Sequence, residues 1–125
     1  MSEQAPIMTE SKNTDVIIIG AGPVGLYAIF QCGMLGMKTV VIDALDDIGG
    51  QCTALYPEKP IYDVAGFPNI ESAHLIARLE QQSAPFPPEY HLGQQVTGLE
   101  KTDTGWTVTT GKGLTVSAKA IIIAA

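Results

Sequence analysis

The chain has 125 residues, 46% of them hydrophobic and 16% charged, a balance that excludes a disordered polymer and provides for one domain with a core. A net charge of −6 and a pI near 4.6 exclude a basic nucleic-acid surface, and the Lys and Arg residues are scattered from Lys12 to Lys119. No apolar run approaches the roughly 20 residues of a spanning helix, and residues 1–14 lack the basic start and apolar stretch of a secretory signal. The expectation is a cytoplasmic protein with neither a membrane nor a nucleic acid as partner.

Residues 1–14 are polar and mixed, which predicts a flexible N-terminal tail. Asp15–Ile19 is a short β-branched run ended by Gly20, the pattern of a parallel strand buried on both faces. Pro23 suits the first position of a helix, and the stretch from Pro23 to Leu35 reads as that helix, with Gly36 as its stop. Lys38–Asp43 is a second buried strand, so strand, turn, helix and strand form a βαβ unit.

Residues 44–70 are rich in turn signals (Gly49-Gly50, Tyr56-Pro57, Lys59-Pro60, Gly66-Phe67-Pro68). An irregular stretch of that length is uncommon in a compact domain unless it serves a function. Ser72 is the expected N-cap of a helix reaching about Ser83, with Leu75, Ile76 and Leu79 on one face, and Pro85-Phe86-Pro87-Pro88 stops it. Alternation over His91–Asp103, Trp106–Thr110 and Leu114–Ser117, with turns at Asp103-Thr104-Gly105 and Gly111-Lys112-Gly113, predicts an antiparallel meander. Ala118–Ala125 is again a buried run that returns to the parallel sheet. The predicted class is therefore α/β: a Rossmann-like parallel sheet with a βαβ unit and an antiparallel β-meander.

The chemistry concentrates in Gly20-Ala21-Gly22-Pro23-Val24-Gly25. The first glycine allows a sharp turn off the strand, Gly22 leaves room for a pyrophosphate, and Gly25 lets the helix pack close to the sheet. The helix start offers free N–H groups and the positive end of its dipole. An acid at the end of the next strand, Asp43, lies eighteen residues after Gly25 and can accept hydrogen bonds from a ribose. Strand, helix and acid together make this a dinucleotide-binding fingerprint rather than a bare turn.

The fingerprint alone does not separate FAD from NAD(P). Gly50 and Gln51 follow it with a backbone turn and an amide that both donates and accepts, as a flavin requires. Tyr56 can stack on or hydrogen-bond to a cofactor, or be a half-buried loop aromatic. Asp63 precedes Val64-Ala65-Gly66-Phe67-Pro68, where a close backbone approach is plausible, and reads equally as a turn acid. Cys32 and Cys52 read as reduced thiols, since they form no C-x-x-C pair or metal cluster. His74 and His91 read as surface residues without a partner acid, and Met34 and Met37 as packing residues. No residue reads as a general base or nucleophile and no metal site is expected, which suits a protein whose cofactor carries the chemistry.

These residues resemble the flavoprotein pyridine-nucleotide reductases with two dinucleotide domains, and among them the thioredoxin-reductase-like (type 2) ferredoxin–NADP⁺ reductases. The strings G-A-G-P-V-G-L-Y-A, G-M-L-G-M-K, G-G-Q-C-T-A-L-Y-P-E-K-P-I-Y-D-V-A-G-F-P, H-L-G-Q-Q-V and A-K-A-I-I-I-A-A carry the resemblance, which covers about residues 15–125. It implies that Gly20, Gly22, Gly25 and Asp43 hold the ADP part of FAD; Pro23 and Val24, within the same fingerprint, are further candidate cofactor-binding residues. Gln51 and Tyr56 would lie along the ribityl chain and flavin, and the Val96 backbone at the adenine; Gly50 and Asp63 complete the candidate cofactor-binding residues. It also implies NADPH as the hydride source, ferredoxin or flavodoxin as the electron partner, and a homodimer.

Such enzymes continue past this length into an NADPH domain and a return segment, so residues 15–125 read as the N-terminal portion of an FAD-binding domain that is incomplete and alone inactive. The rival readings are the flavin half of a thioredoxin-reductase-like disulfide reductase and a non-enzymatic remnant. An acidic ferredoxin would need a basic docking face, so with this segment acidic either that face lies elsewhere or the partner differs.

Overall fold

The structure is a computed structural model that describes residues 10–125. A six-stranded sheet forms its centre. The elements are β1 (Glu10–Ile19), α1 (Pro23–Met34), β2 (Thr39–Ile42), α2 (Gln51–Ala54), β3 (Pro60–Ile61), β4 (Ile70–Glu71), α3 (Ser72–Ser83), β5 (Glu89–His91), β6 (Val96–Lys101), β7 (Trp106–Thr110) and β8 (Leu114–Ile123). The sheet order is β5-β2-β1-β8-β7-β6, while β3 and β4 form a separate ribbon.

The β-branched runs pair as their composition dictates. In β1 and β2, Val16 to Ile19 lie beside Thr39 to Ile42 in parallel register, and β2 pairs in parallel with β5. The start of β2 is pinned by the Asp15 carboxylate, which accepts the Lys38 N–H at 2.8 Å, and by the Thr14 hydroxyl, which donates to the Lys38 carbonyl at 2.9 Å. The meander β6-β7-β8 is antiparallel. Because the sheet is apolar on both faces, two cores result. Val16, Ile18 and Val41 pack with Leu26, Ile29 and Cys32 of α1 and Ile76 of α3. On the other face Ile17, Val40 and Ile42 pack with Val108, Leu114 and Val116 of the meander, so the curled meander replaces a second helix layer.

α1 starts at Pro23 and buries Gly25, Leu26, Ile29 and Cys32, one helical face. It stops where predicted. Gly36 takes φ +75°, its N–H donates to the Gly33 carbonyl at 2.9 Å, and the Met37 N–H donates to Cys32 at 2.9 Å, a turn that only a left-handed residue closes cheaply.

Four boundaries differ from the sequence expectation. First, the strand begins at Glu10 rather than Asp15, because Glu10 to Thr14 pair with Leu114 to Ala118. That part of the predicted tail is ordered, and residues 1–9 lie outside the described residues. Second, His91–Asp103 is two strands. Gly93, at φ +66°, breaks the run, and its N–H and that of Gln94 donate to the carbonyls of Leu45 and Asp43. Third, Leu114–Ser117 and Ala118–Ala125 are one strand, since β1 offers β8 a continuous partner. Fourth, Ser72 does not cap α3. Glu71 holds the cap position without a side-chain bond, and the buried Ser72 hydroxyl donates to the Lys59 carbonyl at 2.9 Å, tying α3 to the irregular segment. Beyond Ala118, β8 is paired by β1 alone among the described residues, and Ile123 is 68% exposed.

Candidate functional site

The carboxyl ends of β1, β2 and β8 meet at the glycine turn, where open α/β sheets place their ligands. The Gly20 N–H donates to the Ile42 carbonyl at 2.8 Å, and the Ala124 N–H donates to Ile19 at 2.7 Å. Gly20 sits at φ +113°, and a Cβ on it would lie 2.5 Å from the Ala124 carbonyl oxygen. A side chain there is therefore excluded twice, by conformation and by space. Gly25 is excluded by space alone, for a Cβ would overlap the Gly20 carbonyl oxygen. This closeness seats α1 on the turn.

Gly22 is different. It takes φ −77° at the N-cap of α1, and a Cβ on it would meet no atom within 4 Å. Nothing in the fold requires a glycine at this position. The open space lies where the first-turn N–H groups, which lack intrahelical acceptors, point outward. The missing side chain thus leaves a cradle for an anionic group at the helix start.

Asp43 closes the turn from the β2 side. Its Oδ2 accepts the Ala21 N–H at 2.6 Å and its Oδ1 accepts the Leu45 N–H at 2.8 Å. The half-buried carboxylate is held in one orientation, and each oxygen keeps acceptor capacity for a further donor. Gly49 and Gly50, at φ +105° and +57°, bring the next segment back over the turn, and the Gly49 N–H donates to the Ala21 carbonyl at 2.7 Å.

A cavity of about 540 Å³ follows from this arrangement, bounded by Gly22, Pro23, Val24, Asp43, Gly50 and Gln51. A second of about 210 Å³ continues it past Gly20 and Asp43, between Ile19, Ile42, Ala44 and Val96. The two share Gly20, Asp43 and Ala125 and form one elongated cleft. The helix start and Gln51 border the first part, Ile19, Ile42 and Val96 border the second, and Asp43 stands where they join, an arrangement with room for a diphosphate joined to a flat ring.

Of the residues singled out in the sequence, Gly20, Gly22, Pro23, Val24, Asp43, Gly50, Gln51 and Val96 lie on this cleft. Gly25 lies beneath it, against Gly20. Tyr56 and Asp63 are exposed and do not line it; Lys59 Nζ sits 5.0 Å from the centre of the Tyr56 ring. Sequence reasoning missed Leu45, Cys52, Gln94 and Ala124 as lining residues. Only their position after Asp43, Gly50 or the H-L-G turn, or for Ala124 at the end of the run from Ala118, could have signalled them. It also missed a partner for His91, whose Nε2 lies 2.6 Å from Glu89. Cys32 is buried in the α1 core, and burial pushes its thiol above the ordinary value, so it is an inert packing residue.

Residues 14–125 match the family of pyridine nucleotide-disulphide oxidoreductases. Among curated relatives, a ferredoxin–NADP reductase of Rhodospirillum rubrum is 55% identical over 129 residues, covering 100% of this chain and 36% of that protein. One of Rickettsia bellii is 60% identical over 113 residues, covering 90% and 34%. The chain thus spans about a third of the length of the curated relatives it matches. Among solved structures, a thioredoxin reductase of T. acidophilum superposes with a TM-score of 0.73 at 27% identity, over 89% of this chain and 34% of that one. A cyclohexanone monooxygenase superposes with a TM-score of 0.73 at 25% identity, over 92% and 27%. The match spans the glycine turn, the acid of β2 and the meander alike, and the chain belongs to the pyridine nucleotide-disulphide oxidoreductase family.

Proposed function

We propose that this chain holds the ADP end of FAD, as the N-terminal portion of the FAD-binding domain of a reductase that moves electrons between NADPH and ferredoxin or flavodoxin. The observation that carries the reading is the open space at Gly22, beside a helix N-terminus and an oriented carboxylate. Gly20 and Gly25 hold that geometry from below, and Pro23 and Val24 form the helix start that faces the diphosphate. Asp43 accepts from a ribose hydroxyl, and the apolar slot at Val96 receives the adenine. Gly50 and Gln51 direct the remainder of the cofactor along the cleft. The isoalloxazine, when bound, supplies the exchange of a hydride for single electrons.

Tyr56 is placed toward the flavin end by resemblance, and Asp63 is a further candidate in the same segment; both side chains are exposed. The free edge of β8 beyond Ala118 supports a further strand from an NADPH domain or return segment elsewhere in the complete protein. The same resemblance supports a homodimer. The compartment is read as cytoplasmic because Cys32 and Cys52 are free thiols, and no helix among the described residues is long and apolar enough to cross a membrane. The disulfide-reductase reading has support from solved thioredoxin reductases at 26–27% identity, against 55–60% for the ferredoxin–NADP reductases.

The test is a titration of the 125-residue chain with FAD, followed by competition with ADP and with FMN. Displacement of FAD by ADP and not by FMN is expected. Displacement by FMN alone would overturn the placement of the ADP end.

A further inference from the structure

The narrow part of the cleft holds a side chain whose orientation the surrounding hydrogen bonds determine. Gln94 lines the slot together with Ile19, Ile42 and Val96. Its Oε1 is bonded to the hydroxyl of Thr110 at 2.8 Å. Thr110 is buried at 5% exposure, and its Oγ1 also lies 3.3 Å from the backbone nitrogens of Lys112 and Leu114. Those two N–H groups can only donate, so they occupy the two acceptor sites of the hydroxyl. The hydroxyl proton remains, and its partner on Gln94 must be an acceptor. Thr110 therefore fixes the amide with its oxygen toward β7. The NH₂ group has no hydrogen-bond partner among the described residues.

The backbone is fixed as well. The Gln94 N–H donates to the Asp43 carbonyl at 3.0 Å, and the Gln95 carbonyl accepts the Gly111 N–H at 3.1 Å. Gln94 is thus tied by its main chain to the acid of β2 and by its side chain to the end of β7. What remains available to a ligand is the NH₂ group, a donor-only end of the amide with its two N–H bonds, on a residue that lines the slot assigned above to the adenine.

We infer that Gln94 is a binding residue for the adenine ring, donating a hydrogen bond from its side-chain NH₂ to a ring nitrogen, with Thr110 as its positioning residue. The inference rests on the proposed ADP site and adds to it a side-chain readout of the base. Asp43 supplies acceptors and Gln94 supplies a donor, so the two ends of the nucleoside are recognised with opposite polarity. A planar ring with no acceptor nitrogen at that edge would leave the amide donor unpaired, and the site disfavours it.

The experiment is a titration of the chain with ADP, followed by calorimetry or by competition against FAD fluorescence. Wild type is compared with Gln94→Leu, Gln94→Glu and Thr110→Val. Gln94→Leu removes the donor, and Gln94→Glu removes it while keeping the acceptor that Thr110 requires. Each is expected to weaken ADP about tenfold, the loss of one hydrogen bond. Thr110→Val frees the amide to rotate and is expected to cost a smaller factor.

The 1-, 3- and 7-deaza forms of ADP then identify the atom. One of them should bind wild type more weakly than ADP, and Gln94→Leu should bind that form and ADP alike. ADP affinity within about twofold of wild type in both Gln94 variants would overturn the inference, as would equal binding of all three deaza forms by wild type. A wild-type chain that binds neither ADP nor FAD would instead overturn the underlying site, so the two failures are distinguishable.

Discussion

The β1–α1–β2 turn and the connection from residue 44 to residue 71 border the same cleft and are built in opposite ways. In the turn, three strands and a helix are locked by backbone bonds of 2.7–2.8 Å at Gly20 and Ala124 and by contacts that leave no room for a Cβ at Gly20 or Gly25. The connection holds one four-residue helix and a two-residue ribbon, with Leu55, Tyr56 and Tyr62 exposed. A backbone site needs only the local chain to be complete. A side-chain site in a loop needs whatever packs against that loop. The difference separates a site that the local chain completes from one that only further packing could complete.

The two glycines of the turn provide the sharpest way to break this comparison. Gly25→Val drives a side chain into the Gly20 carbonyl. Because the Cβ is fixed to its own main chain and the atoms it meets are backbone, about 3 kcal/mol or more of unfolding free energy should be lost, read as a lower urea midpoint. Gly22→Val meets open space at an ordinary φ, so its stability should stay within about 0.5 kcal/mol of wild type. The space proposed for the diphosphate is filled instead, and ADP and FAD affinity should fall by at least ~100-fold, or ~2.7 kcal/mol. If Gly22→Val unfolds the chain, the glycine is structural and the cradle reading fails.

Asp43 belongs to both descriptions, since its carboxylate accepts the Ala21 and Leu45 N–H groups at 2.6 and 2.8 Å. Asp43→Ala should weaken FAD binding by roughly 1.5–3 kcal/mol, the scale of hydrogen bonds to a charged group, and lower stability as the turn loses its tie. Asp43→Asn keeps one acceptor and should recover part of both losses. Full affinity in Asp43→Ala, measured by FAD titration of the apoprotein, would leave the acid with a folding role only.

How much could be read in advance follows the same division. Gly20, Gly22, Gly25, Pro23 and Asp43 act through φ, steric room and a helix start, which are properties of residue type at fixed spacing. The βαβ unit was legible for that reason. The meander was legible from its alternation, but its boundaries were not, since only tertiary pairing tells that Glu10–Thr14 continues β1 beside Leu114–Ala118. Ser72 looked like a cap, and the local signal lost to a bond with Lys59, thirteen residues away. Gln94 and His91 stand in the H-L-G-Q-Q-V string, but nothing local marked their roles; their partners, Thr110 and Glu89, are set by sheet register and by a shared face of a three-residue strand.

The edge of the turn region yields a smaller effect. On β5, Glu89 lies 2.6 Å from His91 Nε2 and 3.2 Å from Lys12 Nζ. The hydrogen bond from His91, aided by Lys12, lowers its pKa below the ordinary 4.5. A carboxylate lowered in the folded state stabilises above its unfolded pKa, and that contribution is lost as pH falls through the folded value. Because Glu89 is 46% exposed, solvent screening limits the contribution to about 0.2–1 kcal/mol. Glu89→Gln should therefore be slightly less stable than wild type at neutral pH, and the gap in urea midpoints should close on acidification below 4.5. A gap that persisted at low pH would assign the loss to packing.

The smallest effect is expected at Tyr56, where the comparison becomes most informative. Its ring is 46% exposed and lies under Lys59 rather than on the cleft. Its backbone N–H donates to the Gln51 carbonyl at 3.0 Å, a bond that any residue but proline could make. Tyr56→Ala therefore removes an exposed ring and a cation–π contact worth about 0.5–1 kcal/mol at most in such a setting. In the 125-residue chain, ADP affinity should change by less than about 0.5 kcal/mol. If the connection is completed by the rest of a longer protein, the same substitution there should alter the flavin absorption spectrum and FAD affinity while ADP affinity stays unchanged. A loss of ADP affinity in the short chain would place Tyr56 at the diphosphate, and the line between a self-contained turn and a dependent connection would have to be redrawn.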